Sequence, residues 1–120
     1  MALRMTDRDV SGVTVVEIEG RIVLGQESSA FREKVKSLLV AGKKKIVLNL
    51  STVSHIDSAG LGTLLATFHS ASSQGAALKL ANLDTKFKEV LQLTNLMAVF
   101  DTYDNEALAV SSFKGKAVGL

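Results

Sequence analysis

The sequence predicts an α/β fold: a mixed, mostly parallel β-sheet of four to five strands packed with about four helices in one domain. Three observations carry this. Stretches with strand-type and helix-type hydrophobic spacing alternate along the chain. The run Ile46-Val47-Leu48-Asn49-Leu50 is nearly continuous in apolar, β-branched character, as in a central strand covered on both faces. The first two extended stretches follow one another with no helix between them, which places an antiparallel or edge portion at one side of the sheet.

Val13 to Glu19 is strand-like, rich in valine and partly alternating. Gly20 interrupts it, and Arg21 to Leu24 reads as a short second strand before Gly25. From Gln26 to Ala41, Phe31, Val35, Leu38 and Leu39 recur at helical spacing while Arg32, Glu33, Lys34 and Lys36 face away, and Gly42 stops the helix. Ile46 to Leu50 follows as the central strand, and Ser51 to Ser58 reads as a polar connection. Leu61, Leu64, Leu65, Phe68 and Ser72 mark a second helix that ends near Gly75. Ala76 to Leu80 is a further strand, Lys86 to Leu93 a third helix with Phe87, Val90 and Leu91 on one side, and Leu96 to Phe100 a short last strand. Asp104 to Ser112 closes the domain as a helix, leaving Lys114 to Leu120 as a loose tail and residues 1–113 as the folded unit. Proline is absent, so helix ends rely on glycine and polar caps. Phe31, Phe68, Phe87 and Phe100 are expected in the core.

Composition excludes several function classes. With 120 residues, 47% of them hydrophobic, the chain can bury a core without metal or disulfide staples. Having no cysteine, it has no disulfide, thiol nucleophile, thiolate metal site or iron–sulfur cluster. His55 and His69 do not form a zinc-ligand pair, and no cofactor or metal is expected. No apolar run is long enough to cross a bilayer, and Met1 to Val10 lacks the apolar stretch of a signal peptide, so a cytoplasmic location without membrane insertion is expected. The net charge is only +2, spread over both halves. Lys43-Lys44-Lys45 is the single cationic run and has no aromatic neighbour on which a base could stack, which makes it a solvated turn rather than a nucleic-acid surface.

The informative segment is Ser54-His55-Ile56-Asp57-Ser58-Ala59-Gly60-Leu61-Gly62, where the central strand gives way to the second helix. Ser58, His55 and Asp57 do not read as a hydrolase triad. Neighbours in an extended segment point opposite ways, whereas a base must sit within about 3 Å of its nucleophile. A nucleophile elbow would also need glycine where Ile56 stands. Gly60-Leu61-Gly62 could open a dinucleotide loop, but the third glycine position is Leu65 and no Walker-type Gly-Lys-Ser follows. The remaining reading is a helix start, with Asp57 or Ser58 as N-cap and Gly60 admitting a close backbone. Spacing alone favours simple caps over a surface serine offered for modification. His55 is expected to pack or hydrogen-bond beside the junction, and His69 to face solvent on the second helix.

Ile46-Val47-Leu48-Asn49-Leu50 followed by Asp57-Ser58-Ala59-Gly60-Leu61-Gly62 resembles the signature of STAS domains, specifically the bacterial anti-sigma factor antagonists. Gly20-Arg21-Ile22, Gly75 to Leu83 and Leu93 to Phe100 resemble further family segments in the family's order, with Val23 where Asp is common. The resemblance implies a STAS-like, non-enzymatic module whose unphosphorylated form binds an anti-sigma factor serine kinase and so frees the sigma factor. It implies that the kinase phosphorylates Ser58 and a serine phosphatase reverses this. It also implies that Asp57, Ser58, Ala59, Gly60 and Gly62 meet the partner. An accessory STAS subunit of a lipid-transport ABC system, or a scaffold STAS domain of a stress-signalling complex, is the alternative within the same fold.

Overall fold

Val13 opens a strand with every second side chain turned to each face of a sheet, and the whole architecture grows outward from it. The computed structural model describes residues 3–23 and 25–118, with side chains through Phe113. Five strands and four helices follow in the order β1 (Arg4–Val10), β2 (Val13–Ile22), α1 (Gln26–Val40), β3 (Lys45–Ile56), α2 (Ser58–Ser73), β4 (Ala77–Ala81), α3 (Thr85–Leu93), β5 (Asp101–Tyr103) and α4 (Glu106–Val118). The strands lie side by side in sequence order, with β1 antiparallel to β2 and all later neighbours parallel. The predicted mixed, mostly parallel sheet is therefore present. The last helix, expected over Asp104 to Ser112, spans Glu106–Val118 and so takes in most of the segment expected as a loose tail, whose remaining residues 119 and 120 lie outside those described.

Three expectations are corrected. The antiparallel partner of Val13–Ile22 is Arg4–Val10, not Arg21–Leu24; Gly20, at φ 115°, bends β2 without ending it. Ser11 and Gly12, at φ 54° and 84°, form the tight turn between β1 and β2, whose two left-handed residues match the twist of the flanking strands. Ser51 to Ile56 is not a loop but the second half of β3, paired with β2 through two register shifts. Leu96 to Phe100 is a turn, not a strand: Leu96 N–H donates to Leu91 O at 2.8 Å and Val99 N–H to Leu96 O at 3.0 Å. The last strand is Asp101–Tyr103, beside Lys79–Ala81 of β4.

Alternation along the strands sorts the core into two layers. Val16, Ile18, Ile46, Leu48, Leu78 and Leu80 face α1, α2 and α3, where Phe31, Val35, Leu64, Phe87 and Leu91 close over them. Phe100 is buried there too, and Phe68 is half-buried edge-on to it, with ring centroids 5.3 Å apart. Val13, Val15, Val47 and Ala81 face the other way, against Ala109 and Val110 of α4. This second face also carries a polar clasp. Asn49 Nδ2 donates to Glu106 Oε1 at 3.0 Å, Arg8 Nη2 donates to the same oxygen at 2.6 Å, and Asn82 Nδ2 donates to Asn49 Oδ1 at 3.0 Å. Buried Lys79 donates to Ser112 Oγ at 2.7 Å and stands 4.2 Å from the Phe113 ring centre, so its ammonium is satisfied without a carboxylate.

Candidate functional site

Because β2 and β3 are parallel neighbours, their C-terminal ends, Ile22 and Ile56, finish side by side. Their connections to α1 and α2 leave from the same sheet edge, where open parallel sheets place their binding sites. The second half of β3 owes its path to its polar residues. Between Glu17 and Glu19 of β2, β3 spends one extra residue, pairing Asn49 and Thr52 where a regular ladder would pair Asn49 and Ser51. Asn49 Oδ1 accepts the Ser51 N–H at 3.1 Å, Thr52 Oγ1 donates to Ile18 O at 2.8 Å and Ser54 Oγ donates to Gly20 O at 3.2 Å. These bonds hold the irregular stretch onto β2 while Val53 stays buried.

The strand then hands over to α2 at Asp57. Its backbone is extended, with φ −99° and ψ −179°, and its Oδ1 accepts the Gly60 N–H at 2.7 Å, the geometry of an N-cap. Of the two expected caps, Asp57 is the one used. Ser58 is the first helical residue and is exposed; Ala59 is half-buried. Gly60 is buried, and a Cβ built on it would lie 1.9 Å from Ile22 O and 3.0 Å from Ile56 Cγ1. The backbone that Gly60 admits is thus Ile22 of the same chain, and the helix start is pressed directly onto the end of β2. Gly62 differs: it is exposed, and a Cβ there would meet nothing within 4 Å.

Beside Ala59, the neighbour of Ser58, the structure gathers residues the sequence did not single out. Gly25, Gln26, Ser28, Ser29 and Arg32 of the α1 start line an open groove with Ala59 and Thr63 of α2. Ser28 fixes this rim, its Oγ donating to Val23 O at 2.6 Å. The signal that could have found it is topological: parallel strands next to each other bring successive βα connections together. His69 is exposed as expected, with its ring edge-on to Phe68. His55 is exposed too, but no hydrogen bond or ion pair engages its ring among the described residues; it lines a cavity against α3 instead. No group of three metal-ligating side chains occurs among the described residues, and none of their helices is long and apolar enough to cross a membrane.

Residues 4–109 match the STAS domain family. The anti-sigma-B factor antagonist of Bacillus subtilis (strain 168) is 34% identical over 86 residues, 72% of this chain and 77% of that protein. A crystal structure from Thermotoga maritima, of a candidate anti-sigma factor antagonist, superposes at TM-score 0.82 and 29% identity over 90% of this chain and 92% of the other. The anti-sigma factor antagonist SpoIIAA in its unphosphorylated form gives TM-score 0.71 at 18% identity over 93% of this chain and 99% of the other. The phosphorylated form of SpoIIAA, a Bacillus cell fate determinant, gives 0.69 at 19% identity over 92% and 99%. At those identities the likeness to SpoIIAA is one of fold. The matched span runs through the sheet and through the Asp57–Gly62 junction, and the chain belongs to the STAS domain family, among its anti-sigma factor antagonists.

Proposed function

We propose that the chain is the antagonist of a partner switch: unphosphorylated, it binds an anti-sigma factor kinase and releases the sigma factor; phosphorylated on Ser58, it lets the kinase go. A serine phosphatase resets it. The observation that carries this reading is the position of Ser58, an exposed hydroxyl on the first residue of a helix whose start is capped by Asp57 and pinned by Gly60. The names of the relatives and the existence of SpoIIAA in both forms support it.

The physical chemistry of that position suits a switch. A phosphoserine carries about −1.5 to −2 charges. At a helix N-terminus, unserved N–H groups and the helix dipole favour such an anion by about 0.3–1 kcal/mol, so the fold tolerates it. Buried in an interface beside the Asp57 carboxylate, the same group costs several kcal/mol in desolvation and repulsion. Turning a mostly bound population into a mostly free one takes about 5.5 kcal/mol, which a buried dianion can supply. Chemistry and ATP come from the kinase; this chain contributes the acceptor and the docking surface of Ser58, Ala59 and Gly62, with Asp57 and Gly60 holding them from beneath.

The test is to incubate the protein with the anti-sigma factor kinase of its own cell and ATP, then map phosphate by mass spectrometry. Phosphate on Ser58, and none on Ser58→Ala, is the expected result. Equal labelling of Ser58→Ala overturns the assignment.

A further inference from the structure

A second site lies between the end of β3 and the start of α3. Val53, Ser54, His55 and Ile56 at the end of β3 and Asp84, Lys86, Phe87 and Val90 at the start of α3 enclose a cavity of about 150 Å³. Its lining divides by chemistry. Val53 and Phe87 are buried, Ile56 and Val90 half-buried, and together they form an apolar floor. The polar residues stand at the more exposed end. Ser54 spends its hydroxyl proton on Gly20 O, and Asp84 Oδ1 accepts the Phe87 N–H at 2.7 Å as the N-cap of α3. His55 and Lys86 are left, both exposed and neither engaged in a hydrogen bond or ion pair among the described residues.

We infer that this cavity is a binding site for a small amphipathic anion: a single apolar ring or short branched chain on the floor, with a carboxylate at the mouth held by Lys86 and the His55 ring. Size sets the first half of that assignment, because a void of about this volume takes a benzene-sized body and is too small for a nucleotide. Charge sets the second half. The Asp84 carboxylate keeps its charge but sits at the positive end of α3, where it accepts the Phe87 N–H, whereas the Lys86 ammonium has no partner among the described residues; Lys86 and the His55 ring are therefore the groups at the mouth that a ligand carboxylate can engage.

The cavity bears on the helix start. Ile56 lines it and also packs under Gly60, since a Cβ at Gly60 would come within 3.0 Å of Ile56 Cγ1. A ligand that fixes Ile56 therefore presses on the first turn of α2. This makes the cavity a small-molecule input to that turn, whatever partner the turn serves.

The experiment is an amide-shift titration of the isotope-labelled full chain with benzoate, alongside benzyl alcohol as the neutral analogue of the same shape. Saturable shifts are expected at 53–56 and 84–90 with benzoate, and weaker ones with the alcohol. Lys86→Gln, an exposed change, should weaken benzoate about fivefold, the size of one solvent-facing charged contact, while leaving the melting curve in place. Val90→Trp, which fills the cavity from α3, should abolish the shifts while circular dichroism stays native. Absence of saturable shifts, shifts centred elsewhere, or undiminished binding by a folded Val90→Trp overturns the site. Equal binding of the alcohol, or no loss in Lys86→Gln, overturns the anionic head; and because Lys86 is exposed, that variant decides the matter even if Val90→Trp fails to fold.

Discussion

Two glycines two residues apart do opposite things, and substitution separates them. At Gly60 a methyl group would collide with the carbonyl of Ile22, a backbone atom that cannot swing aside. Gly60→Ala should therefore destabilise the protein by about 3 kcal/mol, at the upper end of overpacking costs, as read from urea unfolding. At Gly62 the space is open and the backbone helical, so Gly62→Ala should stabilise by about 0.5–1 kcal/mol through helix propensity alone. If Gly62 is bare so that a partner can approach the helix, the same change weakens kinase binding even as it raises the melting temperature. Unchanged affinity in titration calorimetry would remove Gly62 from the docking surface. Ser58→Asp belongs to the same scale: secondary structure and melting should persist while kinase affinity falls, and equal affinity would sink the switch.

At the scale of the element, α2 begins where it does because Asp57 caps it. Asp57→Ala should cost about 1 kcal/mol and Asp57→Asn only a few tenths, because an asparagine oxygen accepts the Gly60 N–H as well. Thermal melts of the two variants check this, and a large loss in Asp57→Asn would mean the charge itself holds the junction. The cap was legible from sequence because it is local: a carboxylate three residues before Gly60, followed by helical spacing. The strand leading into it was not. Ser51, Thr52 and Ser54 look like loop residues, yet the Ser51 N–H donates to Asn49 Oδ1 and the Thr52 and Ser54 hydroxyls donate to β2 carbonyls, and the extra residue after Asn49 breaks the alternation by which a strand is recognised. β1 escaped for another reason. It is an edge strand whose Arg4, Asp7, Arg8 and Asp9 blunt self-pairing, so its strand character rests on β2 rather than on its own apolar pattern. Leu96 to Phe100 misled because a short apolar run fits a half-buried turn as well as a strand. The α1 residues that share a groove with Ala59 and Thr63 were hidden because strand neighbours are set by long-range packing.

At the scale of the whole molecule, the two faces of the sheet are built differently. The face under α1, α2 and α3 is predominantly apolar, whereas the α4 face adds the polar clasp that ties β1, β3, the segment after β4 and the start of α4 through Arg8, Asn49, Asn82 and Glu106. Asn49 belongs to both this clasp and the irregularity of β3, so α4 is linked to the strand that delivers Asp57 and Ser58. The clasp leaves a pH signature. The Arg8 hydrogen bond, helped by Asn49 and opposed by partial burial, holds the Glu106 carboxyl below its ordinary range. A carboxyl that is more acidic in the folded state than in the unfolded one lends stability at pH values above its unfolded pKa. That stability is lost as pH falls through the ordinary glutamate range towards the depressed folded value, because the unfolded chain takes up the proton first. Glu106→Gln should thus lower stability at neutral pH by about 1 kcal/mol, a figure kept small because Arg8 is nearly half exposed. In acid the two proteins should converge, as the wild-type carboxyl also becomes neutral. Urea unfolding across the acid range checks this. A gap between wild type and Glu106→Gln that stays constant down to strong acid would show that the variant disturbs packing rather than charge.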